Sequence, residues 1–103
     1  MRRSSLILVL ACAGAFPVMA QNQEALYTQS LAATCANCHG THGKATIGSA
    51  VPALAGMPRE YLVTQMKAFK EGSRPATIMH QLAKGYSDAQ IEQLAGYFAA
   101  QKK

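Results

Sequence analysis

Apolar residues recur at helical spacing in three stretches of the chain, at residues 22–34, 57–71 and 87–98. No stretch has the alternation of apolar and polar residues, bounded by turns, that is typical of a β-strand. No internal repeat or interdomain linker is visible after Ala20. The pattern therefore predicts one small all-α domain with three or more helices and long connections.

The first two helices have recognisable local features. In the first, Leu26, Leu31 and Ala32 are expected to share an apolar face. In the second, Pro58 suits the first turn, because its fixed φ is already helical. Gly72 is a natural stop just after the last turn, so the second helix is expected to end there.

The last helix has the clearest signal. Ser87 and, three residues later, Gln90 form a capping-box pattern, in which each side chain bonds the backbone N–H of the other residue. The apolar stripe that follows consists of Ile91, Leu94, Tyr97 and Phe98. We expect Tyr97 and Phe98 to clamp the first helix, with Gly96 leaving room for the two helices to approach closely.

Two irregular connections separate the helices. Residues 35–56 are rich in glycine and have no sustained periodicity, and residues 73–85 contain Pro75. A connection as long as the first is unusual in a compact domain unless something holds it in place. A covalently attached ligand would do so.

The first 20 residues have the features of a secretory signal. Two arginines precede an apolar run at residues 6–15, and small residues lead up to Ala20, after which cleavage is expected. The apolar run is too short to span a bilayer. The predicted division is a signal peptide over residues 1–20 and one domain over 21–103. A lipid-attachment box around Cys12 is the alternative, but the apolar stretch before it is unusually short.

The composition limits what this one domain can do. The chain has 103 residues and a formal net charge of +5. Removing the signal leaves eight Lys and Arg against five Asp and Glu, a bias too weak to indicate nucleic-acid binding. The remaining 83 residues are few for a core that must stabilise the fold alone. A disulfide, a metal or a cofactor is therefore expected.

Cys35, Cys38 and His39 form the C-x-x-C-H pattern that is typical of covalent haem attachment. Two thiols three positions apart can form thioethers with the two vinyl groups on one porphyrin edge, and the adjacent histidine then lies beneath the iron. A thioredoxin-like dithiol would need a preceding strand. A closed zinc site that also used His42 would be too crowded. The pattern favours one haem c over either alternative.

The second axial ligand of such a haem has several candidates. His42 is too close to His39 along the chain to reach the opposite haem face. Met66 lies mid-helix, where methionine usually packs, and Met57 lies at a helix junction and is expected in the core. Met79 precedes the last helix and is far enough along the chain to cover the distal side. It is the favoured ligand, and its neighbour His80 leaves bis-histidine ligation open.

With these motifs in place, the chain resembles the small bacterial class I cytochromes c. The resemblance rests on the haem motif with its flanks, residues 35–43, and on Pro52–Ala53–Leu54–Ala55–Gly56. Residues 76–87 and 95–98 make it look like the cytochrome subunits of flavocytochrome c sulfide dehydrogenases. Some members of that group carry two haem domains, whereas this chain has one C-x-x-C-H motif. The implied fold is the small class I cytochrome c fold, wrapped around one covalent haem.

The resemblance also implies a role for each site residue. The thioether positions would be Cys35 and Cys38, and the axial iron ligands would be His39 and Met79. The carbonyl of Pro52 would accept the N–H of the proximal imidazole, a contact that orients the ring and tunes its basicity. Packing on the haem would fall to Leu54.

The implied function is electron transfer in the periplasm, by a subunit docked on a flavoprotein that oxidises sulfide. The chain would not be an enzyme by itself, since two filled axial positions leave no place for substrate or oxygen. That also argues against a gas sensor or a peroxidase. A free periplasmic shuttle between other redox proteins is the alternative function. Four lysines either steer an acidic partner or are ordinary solvated residues: Lys44, Lys67, Lys70 and Lys84.

Overall fold

The computed structural model describes residues 16–103. These residues form five α-helices and no strand, which confirms the all-α prediction. The helices are α1 (Phe16–Ala33), α2 (Ala36–His39), α3 (Arg59–Glu71), α4 (Met79–Lys84) and α5 (Asp88–Ala99), and a 3-10 turn, Thr41–Gly43, follows α2. Most of the predicted signal peptide, Cys12 included, lies outside the described residues. The division between residues 1–20 and 21–103 therefore stays a prediction.

Local sequence signals account for the ends of α3 and α5. Pro58 precedes the first turn of α3, and Gly72 ends the helix with a left-handed φ of 83°. At the start of α5, the Gln90 backbone N–H donates to the Ser87 hydroxyl at 3.1 Å, and the Ser87 N–H donates to the Gln90 side-chain oxygen at 2.9 Å. Both bonds of the predicted capping box are thus present.

The predicted apolar face of α1 is wrong in one residue. Ala32 is buried and Leu31 is half-buried against the core, but 62% of Leu26 is exposed. Five residues separate Leu26 from Leu31, which places them about 140° apart around a helix of 3.6 residues per turn. None of the helices in residues 16–103 is long and apolar enough to cross a membrane.

The core lies where α5 packs against α1 and α3. Its fully or nearly buried residues are Ala32, Leu62, Val63, Ile91, Leu94, Ala95 and Phe98. Phe98 is 4% exposed, and the Tyr97 ring meets it edge-on, with ring centres 5.2 Å apart. The expected role of Gly96 is wrong. A Cβ there would meet only the Arg59 Nε atom, at 4.0 Å, so no close helix approach depends on this glycine.

The connections are more helical than the sequence predicted. Residues 73–85 were expected to be irregular, yet Met79–Lys84 forms α4. Six residues are too few for a periodic apolar signal, and α4 is held by tertiary packing. Its one buried side chain, Ala83, is completely excluded from solvent, and α4 lies against α3. The long first connection likewise contains α2 and the 3-10 turn.

Ion pairs join α3 to α5. The Lys70 ammonium lies 2.9 Å from the Asp88 carboxylate, and Lys67 lies 3.7 Å from Glu92, which Arg59 also contacts. The hydrogen bond and charge of Lys70 hold the pKa of Asp88 below its usual range. Such exposed pairs contribute little to stability, because solvent screens them.

Candidate functional site

The C-x-x-C-H residues lie on a single turn that continues from α1. The Cys35 N–H donates to the Ala32 carbonyl at 3.1 Å, and the His39 N–H donates to the Cys35 carbonyl at 3.0 Å. This turn places Cys38 at the surface, while Cys35 is half-buried and His39 is only 8% exposed. One turn of the chain therefore carries both cysteines and the histidine, and the histidine is more deeply buried than either cysteine.

The two cysteines differ in environment. Burial raises the pKa of the Cys35 thiol, and the Thr34 hydroxyl, 3.9 Å from its sulfur, lowers it to a smaller extent. Cys35 also packs against the edge of the apolar core. The Cys35 thiol therefore lies against apolar side chains, whereas Cys38 is exposed to solvent.

The His39 ring is held by a hydrogen bond to Pro52. Its Nδ1 atom lies 2.7 Å from the Pro52 carbonyl oxygen. A carbonyl oxygen only accepts, so Nδ1 must carry the proton. The Nε2 lone pair is therefore the free one, which is the form of histidine that binds a metal. The structure thus brings together His39 and Pro52, two residues that the resemblance places at the haem site.

A tight loop built on two glycines brings Pro52 to His39. Gly40 has a φ of 82°, and a Cβ there would lie 2.1 Å from the Lys44 carbonyl oxygen. Gly43 has a φ of 75°, and its carbonyl accepts the N–H groups of Leu54 and Ala55 at 2.8 and 3.1 Å. These bonds fix the segment that carries the Pro52 carbonyl.

Gly40 and Gly43 are functional positions that the sequence reasoning missed. Their signal was present in the spacing, since they stand one and four residues after His39. Only the packed structure gives the reason. A Cβ at Gly43 would come within 2.8 Å of the Phe98 ring.

Leu54, Met57 and Met66 are half-buried and pack against the core cluster. For the two methionines this is the packing role expected of them from the sequence. Leu54 lies beside Gly43, on the same loop as Pro52. Leu54 thus follows, by two residues, the carbonyl that bonds the His39 ring.

Met79 is the first residue of α4 and is half-buried. The helix that it begins packs against α3. Ile78, just before α4, is 57% exposed, and Leu82, one turn later in α4, is 47% exposed. Next to Met79, the His80 Nδ1 atom is buried and has no hydrogen-bond partner among the described residues.

His42 is exposed, but its side chain also has a partner within the protein. Its backbone has a left-handed φ of 55°. Its Nδ1 atom lies 2.6 Å from the Tyr97 hydroxyl, which ties the haem-motif loop to α5. Through this bond the His42 side chain helps to hold the loop in place.

The donor set fits a haem better than a bare metal ion. Within residues 16–103, no three His, Cys, Asp or Glu side chains are grouped so as to hold a metal. What the chain offers is two thiols on one turn, one imidazole with a free Nε2, and apolar side chains exposed beside Met79. Thiols suit two thioether bonds to a porphyrin, and a single histidine suits an iron whose in-plane ligands are supplied by the ring.

Comparisons with known proteins agree with this chemistry. The cytochrome c family matches residues 24–102. Over 68 residues, 66% of the chain, it is 43% identical to the "cytochrome subunit of sulfide dehydrogenase" of Chlorobaculum tepidum. Over 71 residues, 69% of the chain, it is 39% identical to the "thiosulfate dehydrogenase electron acceptor" of Thiomonas intermedia. The matched stretches span 60% and 33% of these two relatives.

Among solved structures, the chain is similar to cytochrome c4 of Acidithiobacillus ferrooxidans. The TM-score is 0.63 at 30% sequence identity. The likeness covers 79% of this chain and 49% of that one, so the fold corresponds to about half of the larger protein.

Proposed function

The chain belongs to the cytochrome c family, and we propose that it accepts electrons from the flavoprotein of a periplasmic sulfide dehydrogenase. It is a c-type electron carrier with one covalently attached haem c. The observation that supports this partner is the 43% identity with a protein named as the cytochrome subunit of a sulfide dehydrogenase.

In this proposal Cys35 and Cys38 would hold the haem through thioether bonds, and His39 Nε2 and the Met79 sulfur would bind its iron. The haem supplies one-electron chemistry between ferric and ferrous iron. The Pro52 carbonyl keeps the His39 ring in one orientation and raises its basicity. The thioether of Met79 is a soft ligand that favours ferrous iron and raises the reduction potential. Leu54 would line the haem on the His39 side.

If His39 and Met79 both bind the iron, they would leave no coordination site for substrate. The sulfur chemistry therefore belongs to the partner, and this chain is not an enzyme by itself. Its part is to accept one electron at a time and to pass it to a further redox protein.

Charge distribution supports an acidic docking partner. All five acidic residues lie in α1, α3 or α5, so the connections at residues 34–58 and 72–87 carry none. Of the four lysines that were candidates for steering a partner, Lys67 and Lys70 form ion pairs with acidic residues of α5. Lys44 and Lys84 are exposed and form no ion pair within the described residues. These two would give the connection surfaces a positive potential.

The periplasmic location rests on the predicted signal peptide at residues 1–20. Haem thioethers at Cys35 and Cys38 would also keep both thiols from forming disulfides outside the cytoplasm. N-terminal sequencing of the holoprotein should begin at Gln21. A chain that retains Arg2 and Arg3 would contradict export by this signal.

A free shuttle is the second candidate. The similar protein from Thiomonas intermedia is named as an electron acceptor, not as a subunit. In that case the chain would collect electrons by collision and would form no lasting complex.

Stopped-flow reduction tests the partner directly. Oxidised holoprotein is mixed with the purified flavoprotein and sulfide, and haem absorbance is followed. We expect reduction far faster than with sulfide alone, and no reduction when thiosulfate replaces sulfide. Equal rates with and without the flavoprotein would overturn the proposal. Gel filtration of the same mixture separates a stable subunit, which co-elutes, from a free shuttle, which does not.

Charge variants sharpen the test. Lys84→Glu should slow reduction several-fold at low salt, and the difference should shrink as salt rises, because steering is screened. Lys102→Glu makes the same charge change at the exposed C-terminus and serves as the control. Equal slowing by both variants would mean that net charge alone matters.

A further inference from the structure

We propose that Tyr86 is a positioning residue for the Met79 ligand. Its hydroxyl lies 2.9 Å from the Thr34 hydroxyl, directly beside Cys35. This contact joins the end of α4 to the end of α1, which carries the haem-attachment turn. The inference rests on the proposed assignment of Met79 as the distal ligand.

The direction of this hydrogen bond follows from its neighbours. The Thr34 Oγ1 atom lies 2.7 Å from the Leu31 carbonyl oxygen, and a carbonyl can only accept. Thr34 therefore gives its single proton to Leu31 and has only lone pairs left for Tyr86. Tyr86 must be the donor, so replacing it with phenylalanine removes one defined O–H···O bond.

Backbone hydrogen bonds join Tyr86 to the C-terminal end of α4. The Tyr86 backbone N–H donates to the Ala83 carbonyl at 3.2 Å, and the Gly85 N–H donates to the Leu82 carbonyl at 3.1 Å. Ala83 is completely buried, and the Tyr86 ring packs against the core cluster. This C-terminal end of α4 is therefore well anchored.

The opposite end, which carries Met79, has fewer restraints. The residue before it, Ile78, is 57% exposed and gives no side-chain cap to the helix. Residues 72–75 are all exposed. Because α4 is only six residues long, a restraint at Tyr86 limits how far Met79 can swing away from the haem-attachment side.

A general loss of stability is the competing explanation, and the chain offers a matched control for it. The Tyr27 hydroxyl accepts a hydrogen bond from the Gln90 side-chain nitrogen at 2.7 Å. This bond also anchors α1, but it reaches the first turn of α5 and not the end of α4. Tyr27→Phe therefore removes a similar bond without loosening the Met79 element.

The test measures how easily an outside ligand displaces Met79 in ferric holoprotein. Imidazole is titrated, and loss of the weak long-wavelength band of the iron–thioether bond is followed. Tyr86→Phe should lower the half-displacing imidazole concentration about two- to fivefold, the change expected from one net hydrogen bond. Thr34→Val should have the same effect, Thr34→Ser should restore the wild-type value, and Tyr27→Phe should leave it unchanged.

The outcomes distinguish the positioning role of Tyr86 from the assignment of Met79 as a ligand. Equal displacement in wild type and Tyr86→Phe, or an equal shift in Tyr27→Phe, would overturn the positioning role while leaving Met79 as ligand. A double variant, Tyr86→Phe with Thr34→Val, that weakens ligation more than either single change would contradict a shared hydrogen bond. If wild type itself lacks the band, the Met79 assignment fails, and the positioning role fails with it.

Discussion

Gly43→Ala should destabilise the holoprotein strongly, because two separate penalties act at one position. Gly43 has a φ of 75°, where an L-residue costs about 1–2 kcal/mol. The added Cβ would also lie 2.8 Å from the Phe98 Cδ1 atom and 3.0 Å from the Leu54 Cβ. Neither neighbour can move freely, since Phe98 is buried in the core. Overpacking of this kind adds about 1–3 kcal/mol.

Summed, the expected loss is about 2–5 kcal/mol, a large part of the 5–15 kcal/mol that is typical of folded domains. The assay is guanidinium unfolding of the holoprotein, followed by helical circular dichroism. The control is Gly48→Ala, since Gly48 has a φ of 82° but no atom within 4 Å of its virtual Cβ. It should show the backbone penalty alone, about 1–2 kcal/mol. Equal losses in the two variants would refute the packing argument at Gly43.

Three further predictions concern the core, the distal ligand and the cofactor. Phe98→Ala should cost about 3–5 kcal/mol of unfolding free energy and reduce holoprotein yield. Tyr27→Ala should cost far less, because the Tyr27 side chain is half exposed. Equal melting temperatures of the two variants would contradict this. Met79→Ala should abolish the long-wavelength band, lower the potential and let carbon monoxide bind the reduced protein, whereas His80→Ala should do none of these. The haem should resist extraction by acidified acetone, and its release would contradict thioether attachment.

Features that depend on a few neighbouring residues could be predicted from the sequence. The capping box at Ser87 and the stop at Gly72 are local arrangements, and both are present. The pattern at Cys35, Cys38 and His39 is local too, because the attachment chemistry itself fixes the spacing.

Other features depend on contacts between distant residues, which no local pattern contains. The α4 helix is too short for periodicity and forms because Ala83 is buried against α3. Gly43 matters through Phe98, 55 positions away in the chain. The hydrogen bond between His39 and Pro52 spans 13 positions, and only the resemblance to a known family brought Pro52 to attention.

The lysines illustrate the difference in a way that bears on function. The sequence shows only where the positive charges stand along the chain, and four lysines were candidates for steering an acidic partner. The fold brings Asp88 and Glu92 against α3, where they form ion pairs with Lys70 and Lys67. The same packing leaves Lys84 on α4, close along the chain to Met79, without an acidic neighbour in the connection. The local field that a partner meets is therefore set by where α5 puts its carboxylates, and a partner that docks beside α4 should be acidic there even though the net charge of the domain is small.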